Sequence, residues 1–333
     1  MADSNLKEVV VVTGASAGLG RAITRAFASR GARIGLLARG RERLETTREE
    51  VESLGGKALV LPADVADAGR IEAAADEVEK AYGPIDIWVN NAMTSVFSAF
   101  RDMTPEEFRR VTEVTYLGYV HGTMAALKRM LPRDRGTIVQ VGSALSMRSI
   151  PLQSSYCGAK AAVRGFTDSI RCELLHDKSN VHITMVQMPA LNTPQFGWVK
   201  SRLPRKAQPV PPIFQPEIGA DAVVWAAHHR KREVYVGAST VQAIWGNKLI
   251  AGLLDRYFGR TGFDAQMTSE PEDPNRPDDL WSSLPGDPGA HGAFDARARR
   301  HSLQWQANRN KGWIGLGTLA VGAMAAGLTL RRR

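Results

Sequence analysis

Cysteine is scarce in this chain of 333 residues, which contains only Cys157 and Cys172. Both fall on one predicted helix, where fifteen residues correspond to about 22 Å along the axis, too far for a disulfide. We therefore expect free thiols and a reducing compartment, and no metal site is suggested. The N-terminal residues Asp3, Lys7 and Glu8 lead straight into a strand, so we expect no secretory signal peptide.

Acidic residues are absent from residue 297 to the end of the chain, where eight basic residues lie. Because the whole chain carries a net charge of +9, residues 1–296 carry only +1. A body this close to neutral lacks the basic surface that nucleic-acid binding requires, so we expect no nucleic-acid partner. Hydrophobic residues make up 44% of the chain, which is enough for a sizeable core.

Charge of either sign is missing from Trp313 to Leu330, a stretch that only Arg331, Arg332 and Arg333 follow. A helix of that length spans about 27 Å, close to the hydrocarbon thickness of about 30 Å. We expect residues 313–330 to form a transmembrane anchor within a basic segment, residues 297–333. A helix that lies on the membrane surface, or a tail that docks on another subunit, stays open as an alternative.

A flexible linker is expected just before that basic segment. Proline, glycine, aspartate and serine dominate from Gly262 to about Phe294, a composition typical of disordered segments. The chain therefore divides into a globular domain over residues 1–260, an acidic linker over residues 261–296 and the C-terminal segment.

Within residues 1–260, short apolar runs alternate with helical stretches. The first run, Val9 to Val12, is β-branched throughout, as in a strand that is buried on both faces. Further strands are predicted at 32–38, 58–61, 85–89, 137–141, 181–186 and 233–237, and one long helix at 105–130. This alternation predicts an α/β fold, a doubly wound Rossmann-type parallel sheet with helices on both faces.

A glycine-rich turn follows the first predicted strand. Residues 13–20 have the spacing T-G-x-x-x-G-x-G, and a helix begins directly after them. Glycine lets the backbone approach phosphate groups, and the N-terminus of a helix attracts an anion. We therefore predict a dinucleotide pyrophosphate site at Gly14, Gly18 and Gly20.

The end of the second strand bears on the choice of dinucleotide. In NAD sites an acidic residue at this position binds the adenosine ribose, whereas here Ala38 takes the position and Arg39 follows. Since an arginine favours a 2′-phosphate, we expect NADP(H) rather than NAD(H). Alternatively, Arg39 and Arg41 simply begin a solvated helix.

Tyr156 and Lys160 lie one turn apart on a predicted helix, and Ser143 ends an apolar strand. The ordinary pKa of a tyrosine hydroxyl is about 10, and a neighbouring ammonium favours the phenolate. We expect Lys160 to lower the pKa of Tyr156, so that the tyrosine can act as acid and base while Ser143 orients a carbonyl. The alternative is a surface Tyr–Lys pair on an amphipathic helix.

In this order, these motifs resemble the short-chain dehydrogenase/reductase family over about residues 7–258. The matches are Thr13-Gly14…Gly18…Gly20, Asp64-Val65, Asn90-Asn91-Ala92, Ser143, Tyr156…Lys160 and Pro189…Thr193. The resemblance implies a sheet of seven parallel strands and the interconversion of a carbonyl and an alcohol with a nicotinamide dinucleotide.

The resemblance also implies roles for single residues. Tyr156 is the acid/base, Lys160 binds the nicotinamide ribose and Ser143 holds the substrate oxygen. Asp64 and Val65 contact adenine, and Asn90 lies along the adenosine ribose. The remaining cofactor-binding positions are Ser16, Leu19, Ala92, Pro189 and Thr193.

The chain departs from the family pattern in the long helix, where Thr115 stands in place of an asparagine that holds a water of the proton relay. We expect the hydroxyl of Thr115 to replace it imperfectly. Pro189-Ala190 and Ala92-Met93 replace the Pro-Gly and Ala-Gly pairs of the family, which affects loop geometry more than chemistry.

Apolar residues near the expected site favour a small lipophilic carbonyl or alcohol as substrate; they are Val96, Phe97, Phe100, Phe196, Trp198, Val199, Ile213 and Phe214. The need for NADP(H) places the catalytic domain in the cytoplasm, on the membrane surface where the anchor holds it. Assembly into a homo-oligomer stays open. The alternative function is a catalytically silent NADP(H)-binding sensor or scaffold, to which Thr115 points.

Overall fold

The structure is a computed structural model that describes residues 7–310. The membrane anchor that we predict over residues 313–330 therefore lies outside the described residues. Within residues 7–310, no helix combines the length and the apolar character needed to cross a bilayer. In the same range, Cys157 is buried and Cys172 is exposed, and both are free thiols.

Strands and helices alternate along the first two thirds of the chain. The strands are β1 (Val9–Thr13), β2 (Arg33–Ala38), β3 (Lys57–Pro62), β4 (Ile87–Asn90), β5 (Val96–Phe97), β6 (Thr137–Ser143), β7 (His182–Met188), β8 (Lys200–Ser201), β9 (Arg205–Ala207), β10 (Glu233–Tyr235) and β11 (Met267–Pro271). The α-helices are α1 (Gly18–Ala28), α2 (Arg41–Ser53), α3 (Ala68–Tyr82), α4 (Pro105–Thr112), α5 (Gly118–Met130), α6 (Ser154–His176), α7 (Pro216–Ala227), α8 (Ala238–Thr261) and α9 (Leu303–Arg309).

Seven strands form one sheet in the order β10-β7-β6-β4-β1-β2-β3, and every neighbouring pair is parallel. The prediction of a doubly wound Rossmann-type sheet is confirmed. The chain order reverses between β1 and β4, and in such sheets the ligand crevice lies beyond the carboxyl ends of the strands at that point. The glycine-rich turn after β1 and the Asn90-Asn91 pair at the end of β4 both lie there.

Both faces of the sheet are covered, which explains why β1 consists of four valines and a threonine, all of them buried. Val10 and Val12 belong to a core cluster with α1 and α7, whereas Val9 and Val11 belong to a cluster with α3 and α5. Strand residues alternate between the two faces, so a run of four valines fills both clusters.

The helix that we predicted over residues 105–130 is interrupted. A threonine cap and a reciprocal bond from Glu107 begin α4, and a π-helical turn over Glu113–Leu117 then separates α4 from α5. Such turns insert an extra residue and rotate the side chains that follow, often at functional sites. Thr115 lies in the middle of this turn.

The segment that we expected to be a flexible linker packs against the globular domain instead. β11 pairs with β9, and Leu280 and Ala290 are buried. Further along, Trp305 of α9 is buried beside Trp225, and its indole N–H donates to Asp221 at 2.8 Å. Only a few buried apolar side chains and many main-chain hydrogen bonds hold this segment in place. Its composition therefore resembles that of a disordered linker although it is folded.

Candidate active site

One cleft of about 660 Å³ opens at the carboxyl ends of β1, β4, β6 and β7. All the site residues that we predicted line this cleft except Asn90 and Thr115; the lining set is Gly14, Ser16, Gly18, Leu19, Gly20, Arg39, Asp64, Val65, Ala92, Ser143, Tyr156, Lys160, Pro189 and Thr193. These residues come from the carboxyl ends of six strands and from the helices α1 and α6, and the fold brings them together in one site.

The glycine-rich turn has no room for larger side chains. Gly14 has a φ of 66°, and a Cβ there would lie 2.8 Å from the Cα of Ala92. A Cβ on Gly20 would lie 2.0 Å from the carbonyl oxygen of Gly14. Glycine therefore lets the backbone of the turn come close to a ligand at the N-terminus of α1, as the pyrophosphate of a dinucleotide requires, although the N–H of Gly18 donates to the carbonyl oxygen of Gly289.

Asn91 and Thr13 hold this turn against the end of β4. The amide of Asn91 donates to the carbonyl oxygens of Thr13 and Gly14 at 2.9 and 3.3 Å, and the Thr13 hydroxyl accepts from the N–H groups of Asn91 and Ala92. Asn91 lines the cleft, a role that we had not assigned to it. The doubled asparagine was the only signal, and it did not tell the two apart.

Asn90, which we expected along the adenosine ribose, lies inside the protein. Its side chain is fully buried, accepts from the indole N–H of Trp88 at 2.9 Å and donates to Gln140 and Thr123 at 2.9 and 3.1 Å. Side chains alternate along a strand, so Asn90 points to the opposite side from the cleft. It ties β4 to β6 and α5.

The adenosine end of the cleft carries Arg39 at the end of β2 and Asp64 after β3. Asp64 forms an ion pair of 2.5 Å with Arg110 and accepts from the N–H of Ala66. Burial opposes the charged form of Asp64, but these two bonds outweigh it and hold the pKa of its carboxyl below the usual range. Asp64 is therefore a fixed acceptor facing the cleft.

The reaction end of the cleft brings Ser143, Tyr156 and Lys160 together. Ser143 ends β6, and its oxygen accepts from the N–H of Leu145 at 3.1 Å, which leaves its own hydrogen free to donate. Tyr156 and Lys160 lie on α6, whose first turns face the cleft. A proton donor, a carbonyl-orienting hydroxyl and an ammonium therefore share one wall.

Lys160 does not have the effect on Tyr156 that we expected. Burial raises the pKa of Tyr156 to about 12, although contact with the Ser143 hydroxyl opposes the rise. The ammonium of Lys160 lies 5.8 Å from the centre of the Tyr156 ring and donates to Val141 O at 2.8 Å and to the Tyr119 hydroxyl at 2.7 Å. Burial also lowers the pKa of Lys160 to about 7.

Thr115 does not reach the cleft. Its hydroxyl is fully buried, accepts from the N–H of Thr94 at 3.0 Å and donates to the carbonyl of the same residue at 2.8 Å. The hydroxyl therefore uses both its donor and its acceptor on Thr94, and these two bonds join the π-helical turn to the loop after β4. Tyr119, one turn later, contacts Lys160 instead, and sequence reasoning missed it because a buried tyrosine on an apolar face resembles a core residue.

The apolar wall of the cleft differs in part from the predicted one. Phe196, Trp198 and Val199 line the cleft as expected. Phe214 and Ile213 are buried outside it, Val96 and Phe97 pack in side clusters, and Phe100 is 70% exposed. Other apolar side chains take their place; they are Ile150, Val210, Leu254, Tyr257 and Phe258.

The fold and the cleft together define a dinucleotide-binding α/β protein with a Ser-Tyr-Lys set at the reaction end. A family model described as short chain dehydrogenase matches residues 8–202. An oxidoreductase of Bacillus subtilis called uncharacterized oxidoreductase YxnA is 31% identical over 92% of this chain and 82% of its own length. The chain therefore belongs to the short chain dehydrogenase family.

One further relative and two solved structures are also similar to this chain. A fatty acyl-CoA reductase of Acinetobacter baylyi is 29% identical over 68% of this chain and 75% of its own length. Two solved structures are 28% identical in sequence, each covering 96% or more of the matched chain and about 70% of this one. They are a metagenomic short-chain oxidoreductase in complex with NADP (TM-score 0.59) and an alcohol dehydrogenase of Thermococcus sibiricus complexed with 5-hydroxy-NADP (TM-score 0.60). Their ligands agree with our prediction of NADP(H).

Proposed function

We propose that this protein is an NADP(H)-dependent oxidoreductase that interconverts a carbonyl and an alcohol, with Tyr156 as acid/base. The observation that carries the proposal is that Ser143, Tyr156 and Lys160 share one cleft with the glycine-rich turn and Arg39. Family membership and the NADP ligands of the structural relatives support the same chemistry.

In the direction of reduction, bound NADPH supplies a hydride to the carbonyl carbon. The Ser143 hydroxyl donates a hydrogen bond to the carbonyl oxygen and orients it, and the Tyr156 hydroxyl gives that oxygen its proton. A pKa of about 12 keeps Tyr156 protonated at neutral pH, which suits the donating role. Lys160 is held by Val141 and Tyr119 with its nitrogen 5.8 Å from the centre of the Tyr156 ring, and in this proposal it would bind the nicotinamide ribose.

The substrate that we propose is lipophilic. Aromatic and aliphatic side chains from the loop after β7 and from α8 line the cleft, including Phe196, Leu254 and Phe258, whereas Trp198 lies against Arg43 at the adenosine end. Apolar walls with a few polar groups are typical of sites for small hydrophobic ligands. The name of the Acinetobacter relative, a fatty acyl-CoA reductase, supports this class of substrate.

We further propose that residues 313–330 tether the catalytic domain to the cytoplasmic side of a membrane. Helix α8 supports this proposal, because it exposes four large apolar side chains by 55 to 77%: Trp245 and Leu249 before a kink at Ile250, and Leu253 and Tyr257 after it. These side chains can enter the interface of a bilayer, and the basic residues of the same helix (Lys248, Arg256 and Arg260) can contact anionic lipid. Since α8 also lines the cleft, a lipophilic substrate would reach the site from the membrane.

The enzymatic proposal is tested by following NADPH oxidation with a panel of lipophilic ketones and aldehydes, for the wild type and for Tyr156→Phe. We expect Tyr156→Phe to lower turnover by about 100-fold or more, because general acid catalysis is worth about that much. The affinity for NADPH should stay the same, since only a hydroxyl is lost.

Tyr116→Phe is the matched control, because Tyr116 packs on Phe166 and does not line the cleft. If Tyr156→Phe keeps more than about a tenth of the wild-type activity, Tyr156 is not the acid. If the wild type binds NADPH but turns over no carbonyl, the silent sensor or scaffold is the better account.

A further inference from the structure

The chain after α8, residues 262–310, is the C-terminal extension. Its residues 278–289 form a strap that crosses the outer side of the adenosine end of the cleft. The N–H of Gly18 in the glycine-rich turn donates to the carbonyl of Gly289 at 3.0 Å, and Arg43 donates to the carbonyl of Gly286 at 2.9 Å. At its other end, Leu280 is fully buried among Val96 and Val111. The strap is therefore held in place near both of its ends, at Leu280 and at Gly289.

Arg39, the residue that we expect to bind a 2′-phosphate, is engaged by the strap. Its guanidinium donates to the carbonyl oxygens of Asp279 and Leu280 at 2.6 and 3.3 Å, and one of its nitrogens lies 3.6 Å from the Asp279 carboxylate. Arg39 keeps further N–H groups, because a guanidinium has five. The two carbonyls hold the arginine in place, and the carboxylate lies beside its charge.

The Asp279 carboxylate itself faces the cleft. Its side chain is 16% exposed, the residue lines the same cleft as Arg39, and Arg39 is its only ion-pair partner within residues 7–310. Burial raises the pKa of Asp279 to about 6, and the neighbouring Asp278 adds to the rise, while the charges of Arg39 and Arg43 oppose it. At neutral pH an anion thus lies where a 2′-phosphate would approach Arg39.

We propose that Asp279 is a specificity-determining residue of the cofactor site. Its carboxylate makes the preference for NADP(H) over NAD(H) smaller than Arg39 alone would make it. Two anions next to one arginine repel each other, so the carboxylate weakens the binding of a 2′-phosphate. The same carboxylate can accept a hydrogen bond from a free 2′-hydroxyl, as the acidic residue at the end of the second strand does in NAD sites. This inference rests on the proposed binding of nicotinamide dinucleotides in the cleft.

The test is the ratio of the dissociation constants for NADH and NADPH, measured by fluorescence titration of the full chain. We expect Asp279→Asn to raise this ratio about tenfold, the equivalent of about 1.4 kcal/mol. Asp278→Asn is the matched control: it removes the same charge one residue away, but Asp278 pairs with Lys200 at 3.0 Å and does not contact Arg39. We expect the control to change the ratio less than about twofold.

Because each variant is compared with itself on two ligands, a loss of overall stability does not imitate the effect. If Asp279→Asn does not fold, Asp279→Ser removes the same carboxylate. An unchanged ratio in a variant that binds NADPH, or an equal change in Asp278→Asn, overturns the inference. A wild type that binds neither dinucleotide overturns the proposed function instead.

Discussion

Replacing Leu280 by alanine tests whether the C-terminal extension belongs to the folded domain. The Leu280 side chain is completely buried in a small cluster with Val96 and Val111, and its main chain accepts from Arg39 and Arg110. Buried Leu→Ala changes cost about 2–5 kcal/mol. The cluster contains few side chains, so we expect a loss near the lower end of that range, about 2–3 kcal/mol, in the free energy of unfolding.

The assay is urea denaturation, combined with limited proteolysis of residues 278–289. Leu303→Ala is the control, because the same atoms are removed from a side chain of the extension that is 82% exposed. A surface change of this kind costs about 0.5 kcal/mol or less. If the strap detaches before the domain unfolds, Leu280→Ala appears as faster cleavage of the strap rather than as an earlier urea transition.

The reasoning fails if Leu280→Ala and Leu303→Ala behave alike in both measurements. That result would mean that residues 261–296 are the flexible linker that their composition suggests, and that the cofactor site is complete without them. The proposal for Asp279 would lose its basis at the same time.

Two further predictions concern Lys160 and the C-terminus. A lysine whose pKa is about 7 in the folded protein and about 10.4 in the unfolded chain leaves the unfolded state with more bound protons between these values, so its contribution to stability rises with pH. In thermal or urea unfolding without dinucleotide, the free energy of unfolding of the wild type should rise relative to that of Lys160→Met from pH 7 to 9. Parallel pH profiles of the two proteins would contradict the low pKa. A chain that ends at Asn310 should leave the membrane fraction with its NADPH affinity intact. High-salt washing should not release the full chain if 313–330 is embedded, and a full chain that is soluble at low salt would refute the tether.

The sheet could be predicted because its signal is redundant. The central strands β1, β2, β4, β6 and β7 are almost entirely buried and are rich in apolar residues, and the glycines of the turn are required by close contacts with Ala92 and with the turn itself. Errors of a few residues at the ends of elements did not matter, since the order of strands and helices alone specifies a parallel sheet. The position of the cleft could be predicted from the same order, because many of its lining residues follow the carboxyl ends of the strands.

The interior of the site could be predicted only in part. Asn90 and Asn91 are adjacent and chemically identical, and which one faces the cleft depends on where β4 ends. Thr115 sits in a π-helical turn that rotates its hydroxyl toward Thr94, and a helical pattern in the sequence contains no sign of such a turn. The pKa of Tyr156 depends on burial and on the path of the Lys160 side chain, neither of which follows from the spacing of the two residues.

The extension was mistaken for a linker for a different reason. Five of its acceptors are main-chain carbonyls, at Asp279, Leu280, Pro285, Gly286 and Gly289, and a carbonyl leaves no mark in a sequence; side chains add the ion pairs of Asp287 with Arg21 and of Asp278 with Lys200. The donors to the first four carbonyls are Arg39, Arg43 and Arg110, which resemble surface charges when their partners are unknown, and the donor to Gly289 is the N–H of Gly18. A segment rich in proline and glycine exposes such carbonyls readily, so a composition typical of disorder also suits a strap that bonds through its backbone. The preference for NADP(H) that Arg39 predicts therefore has to be weighed together with Asp279, 240 positions away in the sequence.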